Sequence, residues 1–214
     1  AIGRMLELKI DRNGFVLAVG GGIVTDVAGF VASIYQRGIG FGFVSGTLLS
    51  QVDASVGGKN GVNYLGFKNM VGTFNQPKFV ICDPQMLTTL PADQLDSGFA
   101  EIVKHTLIAD RQMFEYLEEN AEKALNLDMD VIETLVDNSV NIKSGVVNRD
   151  EKESGERRKL NLGHTYGHAA EKVLQVSHGF AVSLGLVVAA RLSVKRGLLT
   201  EADAGRIVAL LKKL

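Results

Sequence analysis

The sequence predicts an α/β N-terminal part followed by an all-α part. Three observations carry that reading. Short apolar runs at residues 15–19, 41–44 and 79–82 have the length and composition of strands. The first of them runs directly into Gly20-Gly21-Gly22 and then into a small-residue apolar stretch at 25–33, which is the pattern of strand, tight turn and packed helix. From Pro91 onward the apolar residues recur at three- and four-residue spacing, and no convincing strand remains. The boundary is placed near residue 90, giving an α/β domain over 1–90 and a helical domain over 91–214.

Taken in order, 15–19 reads as a buried strand and 25–33 as a helix lying on the sheet. Residues 41–44 and 79–82 supply two more strands, and the glycine-rich polar stretch 55–72 between them reads as irregular. Pro91 precedes a helix start. Residues 115–127, 131–147 and 181–196 carry helical periodicity, and 201–214 is amphipathic. The most apolar stretch, 15–35, contains Asp26 and several glycines and is not expected to span a membrane.

Composition narrows the function. Of 214 residues, 46% are hydrophobic and 22% charged, which excludes a disordered chain. Lys plus Arg is 23 against 24 for Asp plus Glu, so charge offers no argument for nucleic acid, although a local basic pocket can still hold an anion. The single cysteine, Cys82, excludes an intramolecular disulfide and fits a reducing compartment. No charged segment followed by an apolar one opens the sequence, so no signal peptide is expected.

Three groups of residues carry chemistry. The glycine turn can bring a phosphate against backbone N–H groups at a helix start, and Asp26, read as lying on the first helical turn, can accept a hydrogen bond from a ligand. Asp53-Ala-Ser-Val-Gly-Gly-Lys59 and Lys68-Asn69 set lysines among glycines, a combination suited to a phosphate or a polyhydroxylated anion. Their order is not that of a P-loop, and lysines in such a loop can also simply face water. The four histidines stand at 105, 164, 168 and 178. His164 and His168 are four apart and share a helix face, so two imidazoles can form half of a zinc site, with Glu101 nearby in the helical part. Spacing leaves open which of these residues ligate.

Several runs, in order, are similar to one family. They are Gly20-Gly-Gly-Ile-Val-Thr-Asp26, Tyr35-Gln-Arg-Gly38, the run from Thr47 to Lys59, Lys68-Asn69, Thr89-Leu-Pro91, Ala100-Glu-Ile-Val-Lys104, the run from Asp150 to Arg157, and Asn161-Leu-Gly-His164. Together they resemble the 3-dehydroquinate synthase family of sugar-phosphate cyclases. The resemblance implies an incomplete Rossmann-like NAD domain followed by a helical domain. It implies a cytoplasmic, homodimeric lyase of aromatic amino acid biosynthesis. The cofactors implied are NAD and Zn2+, with Co2+ as a possible substitute. The reaction implied converts 3-deoxy-D-arabino-heptulosonate 7-phosphate into 3-dehydroquinate and phosphate, with no nucleic-acid or membrane partner.

By matching motif, the implied metal ligands are Glu101, His164 and His178, which moves His168 from the metal to the substrate. The implied NAD contacts are Gly22, Ile23, Val24, Thr25, Asp26, Gly46, Thr47, Lys59, Lys68, Met86, Leu87, Thr88 and Thr89. The implied substrate and catalytic residues are Asp53, Lys59, Asn69, Lys104, Lys143, Glu153, Arg157, Asn161 and His168, with Arg37 reaching into a partner subunit's site. Gly46 stands where the family usually has threonine, and Phe180 where many members have glutamate. Family members extend further at both ends, so this stretch alone is expected to hold NAD weakly. The rivals are related metal-dependent polyol dehydrogenases, cyclases making aminocyclitol precursors, and a non-catalytic remnant. The run 53–59 favours the dehydroquinate type.

Overall fold

The computed structural model describes residues 1–214. A short helix, α1 (Ile2–Glu7), comes first, and no feature of the sequence reading announced it. Then follow β1 (Phe15–Gly20), α2 (Gly22–Ile34) and β2 (Gly40–Ser45), a parallel crossover unit whose strands pair from Phe15 with Gly40 to Gly20 with Ser45. A third parallel strand, β5 (Val80–Cys82), adds to the other side of β2. α2 covers one face of this sheet, where Ala18, Phe41 and Phe43 bury against Ala32, Tyr35 and Ile39. The Tyr35 hydroxyl donates to the Ile10 carbonyl at 2.8 Å and ties the segment before β1 to the end of α2.

Two expectations are corrected here. The run 15–19 was expected to be buried, but Phe15, Leu17 and Val19 are 48%, 54% and 56% exposed. Strand side chains alternate between faces, and only the Val16 and Ala18 face packs against α2. A continuous apolar run does not distinguish burial on one face from burial on two. The stretch 55–72, expected to be irregular, contains most of an antiparallel hairpin of β3 (Lys59–Tyr64) and β4 (Phe67–Phe74). Its alternation is hidden by glycines, and the two backbones close up where Gly61 pairs with Gly72. A Cβ on Gly72 would run into the Asn60 carbonyl. Leu65 and Gly66 make the turn in left-handed backbone, with φ of 49° and 80°.

The helical part comprises α3 (Ala92–Ala109), α4 (Arg111–Leu125), α5 (Met129–Arg149), α6 (His164–Leu174), α7 (His178–Lys195) and α8 (Glu201–Lys213). Asp110, Asp128, Ser177 and Thr200 cap the starts of α4, α5, α7 and α8 by accepting backbone N–H bonds. Its core, built on Phe99, Ile102, Leu117, Ile132, Leu135 and Leu186, also takes in Leu48, Val52 and Leu87 from the first part of the chain. The pattern of elements changes near residue 90, but the core does not stop there.

α7 is apolar enough by composition to cross a membrane, yet it packs against α3, α6 and α8. Glycines set those crossings. A Cβ on Gly179 would lie 2.5 Å from the Cα of Ser97 in α3, and one on Gly167 would lie 2.9 Å from the Ala181 carbonyl oxygen. A Cβ on Gly185 would overlap the Gly163 carbonyl oxygen. α6 and α7 therefore form a close antiparallel pair, and the start of α7 is pinned to α3 one residue beyond His178.

Gly185→Ala should force α6 and α7 apart and cost about 1–3 kcal/mol, as overpacking does. Gly205→Ala, in α8 with open space around the new methyl, should instead stabilise by up to about 1 kcal/mol. Thermal melts of the two variants check the contrast. Equal melting temperatures would mean that the α6–α7 approach does not depend on glycine.

Candidate metal and anion site

Helical spacing on α3 places Ser97, Glu101, Lys104 and His105 on one face, and each is buried. Ser97 Oγ accepts the Gly179 N–H at 3.2 Å, which holds the start of α7 against α3. Glu101, one turn beyond Ser97, therefore meets His178. His178 Nε2 stands 3.3 Å from Glu101 Oε1, and His164 Nε2 stands 3.4 Å from the same oxygen. The ligand atoms of the three residues all lie within 4.8 Å of one another.

The tautomer of His164 tests whether these residues fit a cation. Its Nδ1 lies 3.2 Å from the Leu162 carbonyl, which can only accept, so Nδ1 carries the proton. Burial lowers the His164 pKa and favours the neutral ring. Nε2 then presents a bare lone pair toward the oxygen of a carboxylate. Two lone pairs facing each other in a buried place is an arrangement that a metal ion relieves, and the residues fit one.

The neighbouring charges are arranged as a network. Lys104 pairs with Glu101 Oε2 and stands 3.5 Å from Asp53 Oδ1. Lys143 stands 2.8 Å from that same oxygen and donates to the Asp53 backbone carbonyl at 2.5 Å. Burial pushes Glu101 upward, but Lys104 and the His178 contact outweigh it and hold the carboxyl at about 2. Asp53 likewise would rise on burial, but Lys104, Lys143 and His105 keep it well below the usual carboxylate range. Its contact with Glu101 pushes His178 upward. Burial pulls Lys143 down despite Asp53, whereas its two carboxylate neighbours carry Lys104 above its ordinary value.

The remaining residues implied for the substrate are distributed unevenly. Lys59 pairs with Glu153, whose other oxygen accepts from Asn161 Nδ2 at 2.7 Å. His168 is exposed and sits edge-on to His164, with ring centroids 5.2 Å apart. Arg157 is 2% exposed, and its guanidinium donates to the Glu151 and Gly57 carbonyls (the latter at 2.8 Å) over the face of Phe74. It therefore fastens the 150–157 segment to the glycine loop before β3. Asn69 and Arg37 are exposed in left-handed backbone, φ 58° and 68°, and add no ion pair or hydrogen bond to the network. Arg37 follows the C-terminal end of α2, about 20 Å along the helix from the glycine turn.

The turn after β1 meets the turn after β2. Gly46 N–H donates to the Gly20 carbonyl at 2.8 Å, and a Cβ on Gly21 would lie 2.9 Å from Thr47 Cγ2. α2 starts at Gly22, which puts Asp26 on the second turn rather than the first. Burial raises the Asp26 pKa to about 6, with Lys143 opposing. Thr25 is buried, with its hydroxyl donated to the Gly22 carbonyl, whereas Ile23 and Val24 are exposed beside the turn. Lys68 reaches across to Glu171 on α6 at 2.9 Å. Among 86–89, Leu87 is wholly buried in the core, which closes this implied cofactor contact to a ligand. Met86 borders Gly46, and the Thr88 hydroxyl donates to the Gln85 carbonyl.

Sequence reasoning left His105 unassigned. Its position four residues after Glu101, beside Lys104, was the available signal.

Comparison with known proteins agrees with this architecture. The family model described as 3-dehydroquinate synthase N-terminal matches residues 1–97, and the one described as 3-dehydroquinate synthase C-terminal matches 98–214. A 3-dehydroquinate synthase from Aliivibrio fischeri (strain MJ11) is 47% identical over 212 residues, which are 98% of this chain and 59% of that protein. A 2-epi-5-epi-valiolone synthase from Streptomyces hygroscopicus, solved with NAD+ and Zn2+ bound, superposes with a TM-score of 0.93 at 31% identity, covering 99% of this chain and 60% of that one. A 2-deoxy-scyllo-inosose synthase, solved with carbaglucose-6-phosphate, NAD+ and Co2+, gives 0.89 at 30% identity over 100% of this chain and 60% of its own. The chain thus spans about 60% of the length of its relatives. Both parts of its sequence match, and on that basis the chain belongs to the 3-dehydroquinate synthase family.

Proposed function

We propose that this chain carries the cyclase site that turns 3-deoxy-D-arabino-heptulosonate 7-phosphate into 3-dehydroquinate and phosphate. The observation that carries the reading is the convergence of His164 and His178 on one oxygen of buried Glu101, next to the Asp53, Lys104 and Lys143 network. Residues 1–90 form the cofactor half in this reading, and 91–214 the metal and substrate half. Arg37, remote along α2 from the glycine turn, serves the site of a second copy in a homodimer.

Glu101, His164 and His178 would hold a zinc ion, which supplies Lewis acidity toward substrate hydroxyls. NAD would lie along the glycine turn and supplies a reversible hydride acceptor. The chain's own residues do the rest. Lys59, Asn161 and the Glu153 carboxylate between them line up donors and acceptors for a polar, flexible substrate. Lys104 and Lys143 provide a buried positive field where negative charge develops, and Asp53 holds both ammonium groups in place. Much of the acceleration asked of such a site is orientation of one intermediate through successive steps.

A second reading is a related cyclase acting on another sugar phosphate, favoured by the 0.89 superposition on the 2-deoxy-scyllo-inosose synthase solved with carbaglucose-6-phosphate. Incubating the chain with NAD, Zn2+ and the heptulosonate phosphate, and measuring phosphate together with 3-dehydroquinate, tests the first reading. Phosphate released from glucose 6-phosphate instead would move the assignment to the second. Failure with both substrates would sink the proposal of a cyclase activity for this chain.

The metal reading makes its own prediction. Zn2+ at a hundredfold its dissociation constant should stabilise the fold by about 2.7 kcal/mol. His164→Ala or His178→Ala should abolish that gain. Protons compete at His178, so zinc affinity should fall as pH drops through its raised pKa. Calorimetric titration of Zn2+ at several pH values measures this, and pH-independent binding would count against His178 as a ligand.

Asp26 should trade stability for ligand binding. Its pKa in the fold, about 6, lies above the ordinary 3.8, so the fold prefers the protonated acid. Its favourable contribution is complete below pH 3.8 and is lost as pH rises through 6. Asp26→Asn should therefore raise stability at pH 7.5, by on the order of 1 kcal/mol after solvent screening, and leave it unchanged near pH 3.5. Denaturant melts at the two pH values check this, and a calorimetric titration should show weaker NAD binding by the variant.

A further inference from the structure

His105 is wholly buried on α3, and neither ring nitrogen has a hydrogen-bond partner. Leaving an imidazole dry and unsatisfied is costly, so a buried orphan of this kind calls for an explanation. The acceptor facing it is Asp53 Oδ1, 3.4 Å from Nε2 and just beyond a well-formed bond. Lys104 and Lys143 also make their closest approach to this carboxylate at the same oxygen. The side-chain hydrogen bond made to this carboxylate falls on Oδ1 and not on Oδ2, and Asp53 keeps 24% of its side chain open to solvent. The ligand atoms of Asp53, Glu101 and His105 are also close enough to suggest a second metal position. The two ammonium groups already on Asp53 and Glu101 fill that space with positive charge and argue against a second cation there.

We propose that His105 is a positioning residue that donates Nε2–H to Asp53 Oδ1 and so turns Oδ2 toward a hydroxyl of the sugar-phosphate ligand. This rests on the cyclase reading for the identity of that ligand, but not for the His105–Asp53 pair itself. The two lysines neutralise Asp53 from flexible stems, whereas the ring is rigid and fixes the plane in which the carboxylate lies. A role in filling space alone would be served equally by an apolar ring.

The test uses the folded chain and three proteins: the unaltered chain, His105→Phe and His105→Gln. The glutamine amide reaches about as far as Nε2 and keeps a donor, whereas phenylalanine keeps the volume and loses it. Calorimetric titration with 3-deoxy-D-arabino-heptulosonate 7-phosphate in the presence of Zn2+ should show about a tenfold weaker dissociation constant for His105→Phe. His105→Gln should recover to within about threefold, with Zn2+ affinity equal in all three. If His105→Phe fails to fold, His105→Asn, whose amide is too short, takes its place. Sugar-phosphate affinity that is the same in all three proteins, or lost equally in both variants, overturns the proposal. If the unaltered chain does not bind the sugar phosphate, it is the cyclase reading that fails. The ring itself then decides the inference through its nitrogen-15 spectrum: a single tautomer protonated at Nε2 supports the bond to Asp53, and a proton on Nδ1 refutes it.

Discussion

The structure depends on keeping one carboxylate ionised in the dark of a helical core. Glu101 is wholly buried, and an isolated charge there would be prohibitively costly. Lys104, three residues on and on the same face, meets Oε2 directly, while two imidazoles approach Oε1. Each of these partners is itself buried or half-buried, so none tolerates the loss of the carboxylate. Removing one member of such a set leaves the others uncompensated, which is why buried ion pairs constrain a fold more than they stabilise it.

That requirement explains where the chain uses glycine. His178 reaches Glu101 only because α7 approaches α3 until the backbones at Gly179 and Ser97 almost touch. His164 reaches it because α6 lies equally close to α7 through Gly163 and Gly185. The rest of the network crosses between the two parts of the chain. Asp53, on a turn of wide helix at Ser50–Ala54, takes Lys104 from α3 and Lys143 from α5. Leu48, just before that turn, and Val52, within it, bury in the helical core. The position of Asp53 is thus fixed by packing before it is fixed by charge.

Much of this was legible in the sequence, and the failures have physical causes. The glycine turn, the three strands of the first sheet and the helical second half follow from short apolar runs, punctuation and three-to-four periodicity, all of them local. The hairpin over Lys59–Phe74 escaped because glycines at the paired positions erase the alternation that marks a strand. The half-exposure of β1 escaped because nothing in an apolar run says how many of its faces are covered. Spacing alone favoured His164 with His168, since neighbours four apart on a helix share a face. The residue that joins His164 on Glu101 is His178, brought by a crossing between helices, and only the resemblance of whole motifs pointed to it. Arg157 shows the opposite limit. Its motif suggests a substrate contact, but the structure gives two of its nitrogens to backbone carbonyls, a task no motif declares.

Charge counting links the network to its ligands. Glu101 and Asp53 supply two negative charges, and Lys104 and Lys143 two positive ones, so the buried set is close to balance with neutral His105 and His164. A divalent cation on Glu101, His164 and His178 would add two positive charges to a place that screens them poorly. Any proton on His178 would have to leave before its Nε2 could take a place on the metal. The added charge favours an anion bearing more than one negative charge, and a sugar phosphate with a carboxylate has that valence. The same balance works against simple alcohols, which bring no charge to offset the metal. In the proposed cyclase reading, the two buried lysines offset the two carboxylates, so the charge of a bound metal is left for the ligand to balance.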